Sequence, residues 1–418
     1  MADFNFKKGA DDMMAFIKKI ESEVGPRLPG SEEERKAAKI IKGEYEKTIG
    51  IKPVSEPFKV APNSGIGAIP YIGIIALISL VLYFIYPLAG AILAALALGY
   101  FLVMGGVYTG MFDFLWKQQD SENFYTIQEP TSGKVDFTII TGAHYDSSWN
   151  WILQKKNPKT FIPKIVYGIV GVVGIIVGGI ILTATGFSAP LWVNLNRISD
   201  FTFWQWLAIV FPVVCLPGLY FITQFLSHDK TQASPGCMDN LTGISLNMVV
   251  AEHFKNNPDD LPANCRLITT GFGCEEAGLK GSFAFVKKHK NDGLLKNAFC
   301  INVDSISDGD YFEVVTADPI QFCKFDKELC DLMHGCLAEL NLIKKTGRIV
   351  NPIGGCDATP LTRAGVRCVT FAAQNPVPTT YYHTSNDKSD RLSTEVFEGG
   401  IAAVYSTIKK IGDLQSKK

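Results

Sequence analysis

The stretch TTGFGCEEAGLKGS, Thr269–Ser282, sets two adjacent carboxylates, Glu275 and Glu276, between an apolar run and a glycine-bracketed turn. Neighbouring glutamates repel each other and ordinarily belong to solvated surface. Here the preceding CRLITTGFG is rich in β-branched and apolar residues, as a strand buried on both faces is. Gly278 and Gly281 mark the turn that follows. In open α/β sheets ligands bind beyond the carboxyl ends of the strands, so the pair falls where chemistry is done.

Similar strands recur along the chain. KVDFTIITGAHYDS follows NFYTIQEP across the turn TSGK, and further strands are expected at Cys265–Gly273, Ala298–Asp304, around Tyr311–Thr316 and at Val366–Ala373. Helices are expected between them: one capped by Ser31 and Glu34 and running to about Lys47, then DNLTGISLNMVVAEHFKNN, Phe283–Lys290, Lys324–Leu340 and a final helix from about Thr394. This alternation predicts an α/β fold with a mostly parallel mixed sheet covered by helices on both faces.

Two interruptions break the pattern. No charged residue lies between Lys59 and Asp113, where apolar runs at about Ile69–Tyr86 and Ala91–Tyr108 flank PLAG. Two more runs follow Lys164 and Asp200. Each is long enough to cross a bilayer, which takes roughly 20 residues, so four transmembrane helices in two hairpins are expected. Gly171, Gly174 and Gly178 suit close helix packing. The chain then divides into 1–66, the first part of the catalytic domain; 67–112, the first hairpin; 113–160, the domain resumed; 161–228, the second hairpin; and 229–418, the remainder of the domain. Trp149 and Trp151 suit a membrane interface.

The lysines at 52, 59, 117, 155, 156, 159, 164 and 230 flank the side that carries the polar domain. The positive-inside rule therefore predicts a multi-pass membrane protein with a cytosolic catalytic domain. MADFNFKKGADDMMAF has no signal-peptide character, and ten cysteines without a CxxC pair suit a reducing compartment. A net charge of −1 gives nucleic acid nothing to recognise.

Acids and histidines collect where strands end: His144 and Asp146, Asp239 at a helix start, Glu275 and Glu276, Asp304, and His383 in the loop after the last strand. Imidazole and carboxylate donors suit catalytic zinc. Two histidines, two terminal carboxylates and a bridging aspartate make two three-donor sites and leave one carboxylate over. A two-metal site with a bridging water needs such a base, and adjacent glutamates can divide the work, one binding metal and its neighbour facing the water.

These motifs resemble the family of co-catalytic zinc aminopeptidases that also contains glutamate carboxypeptidase. His144–Asp146, Gly236–Gly243, Glu275–Ser282, Asp304 and His383–Asp387 stand in the family's order, and GPRLPGSEEERKAA is similar to its amino-terminal helix. The resemblance covers roughly residues 20–60 and 120–415 without the hairpins. It implies two zinc ions per chain, one on His144, Asp239 and Asp304 and one on Asp239, Glu276 and His383. It further implies Glu275 as general base, Asp146 holding the far nitrogen of His144, and a cis Asp239–Asn240 peptide. Tyr381, Tyr382 and Asp357 are candidates for the substrate pocket. The expected substrate is a peptide or small amide, met at the lipid bilayer, and the expected activity is that of an exopeptidase, foremost an aminopeptidase. Parts of the pattern also fit an amidase or deacylase for N-acyl amino acids, a glutaminyl-cyclase-like acyltransferase with one zinc, or an inactive membrane scaffold. Oligomeric state is not legible.

Overall fold

The computed structural model describes residues 4–416; residues 1–3 and 417–418, the outer ends of the first and last expected segments, lie outside the described residues. Ten strands form: β1 Val54–Val60, β2 Gln119–Gln128, β3 Phe137–His144, β4 Cys265–Phe272, β5 Ala298–Ile306, β6 Phe312–Val315, β7 Ala317–Asp318, β8 Cys323–Lys324, β9 Arg348–Ile349 and β10 Arg367–Ala373. Eight of them make one sheet in the order β1-β2-β4-β3-β5-β10-β6-β9, and β7 pairs with β8. The four central strands, β4-β3-β5-β10, are mutually parallel; β2 runs against β1 and β4, and β6 runs against β10 but parallel to β9.

The sheet is thus mixed with a parallel centre, as expected. β2 and β3 do not pair across the TSGK turn; β4 lies between them, antiparallel to one and parallel to the other. Every residue of β3 is buried, so both faces of the sheet are covered. The helices Phe6–Glu23, Glu32–Ile49, Thr242–Asn256 and Thr394–Ser416 pack together as one layer, and Lys280–His289 with Ala358–Arg363 forms another. Phe6–Glu23 was not expected from the sequence. Its Met13, Phe16, Ile17 and Ile20 recur at helical spacing and are buried in the main core.

The capping box at Ser31 is only half formed. The Ser31 hydroxyl accepts from the Glu34 amide, but the Glu34 carboxylate turns to the amide of Gly30 and, with its other oxygen, to Ser121 and the amide of Cys274. A residue expected to cap the start of a helix thereby braces the loop that presents Glu275.

Among the described residues, four helices are long and apolar enough to cross a membrane: Ile66–Ile85, Pro87–Gly106, Pro158–Ala184 and Phe203–Thr223. PLAG, expected as the first hairpin's loop, begins its second helix, and the third helix starts early enough to include Lys159 and Lys164. The glycine face packs as predicted. A Cβ on Gly174 would stand 2.6 Å from the Phe211 ring, and one on Gly178 would stand 2.6 Å from the Tyr83 hydroxyl.

The second hairpin leaves the domain after β3 and returns before Asp239, and the gap it opens is sewn shut. Ser234 donates its amide to the carbonyl of Ser148, the Ser147 hydroxyl donates to the carbonyl of Ser234, and the Ser227 amide donates to the carbonyl of Asn150. Arg27 completes the seam. It is fully buried, and its guanidinium donates to the carbonyls of Tyr145 (2.7 Å), Pro235 (2.6 Å), Gly236 (2.9 Å) and Gly25 (3.0 Å). A planar fork can serve carbonyls in several directions at once, which a lysine cannot. Arg27→Met is therefore expected to destabilise the protein by about 3 kcal/mol, as loss of a buried charged partner does, read as a lowered thermal midpoint in detergent. Full rescue by Arg27→Lys would show that charge alone, not the fork, does the work.

Candidate metal centre

β3, β4 and β5 end side by side and β10 lies next to β5, so their terminal residues share one rim of the sheet. His144 closes β3, Asp304 lies near the end of β5, and Glu275 and Glu276 follow β4. Asp239 precedes the helix Thr242–Asn256, and His383 follows β10 in a loop. Cys274, Ser305 and His383 take left-handed backbone at φ 54°, 61° and 53°, an uncommon conformation for non-glycine residues that recurs at functional sites. The Asp239–Asn240 peptide is cis.

The side chains converge in two groups that share one member, His144–Asp239–Asp304 and Asp239–Glu276–His383, each with donor atoms within 4.8 Å of one another. His144 Nε2 lies 3.1 Å from Asp239 Oδ1, and His383 Nε2 lies 3.0 Å from Asp239 Oδ2. Each oxygen of Asp239 thus faces a different imidazole, as a bridging carboxylate's would. Glu276 Oε2 lies 3.2 Å from His383 Nε2. A tetrahedron with bonds of about 2.0–2.1 Å has edges of roughly 3.3 Å, so these spacings fit zinc. The buried Oε1 of Glu276 has no hydrogen-bond partner among the described residues. Burial pushes Glu275 and Glu276 well above the ordinary carboxylate range, and neighbouring acids add to the shift. Such a concentration of acid calls for cationic charge.

Two other aspartates hold the loops rather than the ligands. Asp146 lies 3.3 Å from His144 Nδ1, but that nitrogen makes no hydrogen bond. The two Asp146 oxygens instead accept the amides of Glu275 and Glu276, each at 3.0 Å. Asp146 thus stands against His144 Nδ1, as expected of it, and at the same time supports the glutamate pair. Asp387 repeats the device, accepting the amides of Met238 (2.8 Å) and Asp239 (3.1 Å). Asn240, within a glycosylation sequon, is fully buried and bonded to Val303, Gly243 and Ser305.

The pocket candidates separate. Tyr382 lines the cavity over the cluster, with its ring stacked 3.9 Å from that of His383. Tyr381 turns away, its hydroxyl donating to Asp308 and its ring covered by Arg391. Asp357 is buried with both oxygens unpartnered, and it is Cys356, not Asp357, that reaches the cavity wall. Trp149 and Trp151 are 2 % and 6 % exposed, so their rings pack inside the protein instead of facing lipid. Trp151 donates its amide to the carbonyl of His383 (2.8 Å), and its ring lies 4.3 Å from the imidazole. Arg27, Trp151 and Glu313 were missed from sequence. The available signals were an arginine between two Gly/Pro turns in GPRLPG and a tryptophan seven residues after His144.

Glu313 enters through register. It pairs with Ala372 of β10, which on its other side pairs with Asp304, so Glu313 and Asp304 face each other across one small residue. Glu313 is 1 % exposed, lines the cavity and has an unpartnered Oε2.

The mixed sheet thus carries two acid–imidazole triads with a shared aspartate at its parallel rim. Residues 225–406 match the model of Peptidase family M28. The match holds Asp239, Glu275, Glu276, Asp304 and His383; His144 lies before it. The chain is 26% identical over 201 residues to aminopeptidase YwaD of Bacillus subtilis (strain 168), covering 46% of this chain and 42% of that protein. It thus spans less than half the length of that curated relative. Among solved structures it resembles BSAP, a zinc aminopeptidase from Bacillus subtilis, with TM-score 0.56, 15% identity and coverage of 98% and 96% of the two chains. It also resembles an Acidobacteriales bacterium glutaminyl cyclase, with TM-score 0.55, 13% identity and coverage of 99% and 96%.

Burial pushes the Glu313 carboxyl up from 4.5 to about 7. Between those values the folded protein keeps a proton that the unfolded chain releases, so this group lowers stability as pH rises through the window. Glu313→Gln is expected to remove that part of the decline, read as a smaller drop in thermal midpoint from pH 5 to pH 8 than in the parent.

Proposed function

We propose that the protein is a membrane-embedded zinc aminopeptidase. The observation that carries the reading is the charge of the cavity that opens on the cluster. Asp239, Glu275, Glu276, Asp304 and Glu313 line it, and among the described residues no lysine or arginine does. An α-ammonium finds partners in such a wall, whereas an α-carboxylate would be buried unpaired. Preference for the amino end over the carboxyl end follows from that difference.

His144, Asp239 and Asp304 would hold one zinc, and Asp239, Glu276 and His383 a second. When bound, the metals supply Lewis acidity to the scissile carbonyl and to the attacking water. Glu275 takes the proton of that water and returns it to the departing amine. Asp146 grips the amides of both glutamates and so fixes which carboxylate faces metal and which faces water. Tyr382 lies beside the cluster, where its hydroxyl can donate to the developing oxyanion. Glu313 anchors the substrate's ammonium from across Ala372.

Metal-loaded protein should contain about two zinc per chain, and Glu275→Gln should keep that content while losing turnover of leucinamide by at least a thousandfold. One zinc in active protein would favour the cyclase-like chemistry, and near-normal activity of the variant would remove Glu275 from its role.

The two hairpins embed the protein, and the lysines at their domain-side ends set the catalytic domain in the cytosol. The ten native cysteines are buried, so single exposed cysteines report topology cleanly. In intact cells an impermeant maleimide should label Asn196→Cys, in the loop of the second hairpin, and spare Lys296→Cys in the domain. The reverse pattern would invert the orientation.

A further inference from the structure

The cavity over the cluster, about 500 Å³, does not end at the domain's edge but continues between the apolar helices. Ile72, Ala76, Ala97, Phe161, Ile169 and Val172 line this arm, and no polar side chain from the four apolar spans does. These side chains differ from the outer ones. Ala76 is 0 % and Val172 5 % exposed, whereas Ile78 and Val177 on the same two helices are 53 % and 49 % exposed. The bundle therefore has an outer face suited to lipid and an inner wall around a space that joins the site. From Phe161 to Val172 that wall rises about 16 Å along the helix axis.

What can fill the arm follows from its walls. A peptide backbone would bring amides and carbonyls that find no partner there, at several kcal/mol each. Ordinary side chains do not span its length. An unbranched hydrocarbon meets both conditions, since it needs no hydrogen bonds and each buried methylene is favourable. We propose that the substrate is an amide whose acyl half carries a long aliphatic chain, lodged between the helices while the scissile carbonyl sits at the cluster. This deepens the hydrolase reading above and rests on it. In the reaction the carbonyl–nitrogen bond breaks, the water oxygen forms the new carbon–oxygen bond, and Glu275 passes the proton to the leaving nitrogen. The chain can belong to a lipid-bearing amino-terminal residue with a free α-amine or to a simple fatty-acyl amide. The shared chemistry is the hydrocarbon, and the acid-lined wall favours the first source.

The test uses full-length, zinc-loaded Glu275→Gln protein in detergent, so that ligands bind without being consumed. The probes are glycinamides carrying butanoyl, octanoyl, dodecanoyl and α-aminododecanoyl groups, with affinity read from tryptophan fluorescence. Dodecanoyl should bind at least a hundredfold more tightly than butanoyl, within the limit of about fourfold per methylene. Tighter binding of the α-amino probe assigns the lipid-bearing residue as source; equal binding assigns the fatty-acyl amide. Plugging the arm with Ala76→Phe, or with Ile169→Trp should the first variant not fold, is expected to cut the chain-length gain at least tenfold. Affinity independent of chain length, or the same slope in the plugged variants, which would mean partition into detergent only, overturns the proposal. Hydrolysis of leucinamide by the parent protein is scored separately. Hydrolysis with flat binding keeps the peptidase and rejects the arm, and a steep binding series without hydrolysis does the opposite.

Discussion

The structure depends on the guanidinium of Arg27. A peptidase sheet that must bring His144 and Asp239 within hydrogen-bonding distance here carries about 95 residues between them. Those residues include two long apolar helices whose packing answers to different forces. Arg27 takes carbonyls from the chain just before the insertion, at Tyr145, and just after it, at Pro235 and Gly236. Because every partner is backbone, the clamp does not depend on which side chains the insertion brings. The acids around it, Asp146, Asp387 and Asp239, offset part of the cost of burying the cation, and the cation in turn tempers a strongly anionic region.

A second rule recurs around the cluster: carboxylates that do not face the metal position hold amides. Asp146 and Asp387 each accept two successive backbone N–H groups, those of Glu275–Glu276 and Met238–Asp239. Glu34, one step further out, also accepts two amides, but from two distant segments, Gly30 and Cys274. Successive amides aimed at one anion make a small cradle of fixed partial charge. Reading the motif as a loop gripped by a carboxylate explains why two glutamates stand side by side. A single anchor orients both, with their side chains set to different tasks.

The parallel centre of the sheet was legible because β3, β4 and β5 are rich in β-branched and apolar residues, and the candidate metal donors because acids and histidines stand at or after their ends. The helix Thr242–Asn256 and the glycine face of the third apolar helix were equally plain from periodicity. Strand order was not: the turn TSGK reads as a hairpin, and only tertiary packing reveals that β4 slips between β2 and β3. Glu34 reads as a local cap because sequence reports neighbours along the chain, and the partner that captured it, Cys274, is 240 residues away. Trp151 reads as an interface residue from its composition and position. Its burial against His383 follows from a seam, Asn150 to Ser227, that no local pattern announces. Glu313 is ordinary in sequence and acquires meaning only through its register with Ala372 and Asp304.

Trp151 has one further implication. Its indole touches the His383 imidazole on one side and Phe161 and Phe225 of the helical bundle on the other, at ring separations of 4.3, 5.6 and 4.7 Å. It is a strut between a metal-donor loop and helices whose outer faces are bare hydrocarbon. Whatever surrounds those helices and sets their tilt also bears on the His383 loop. With the helices embedded as proposed above, an amphiphile chosen to hold this protein is not a neutral solvent. Its thickness and lateral packing become variables of the site's geometry, to be controlled as carefully as pH or metal content.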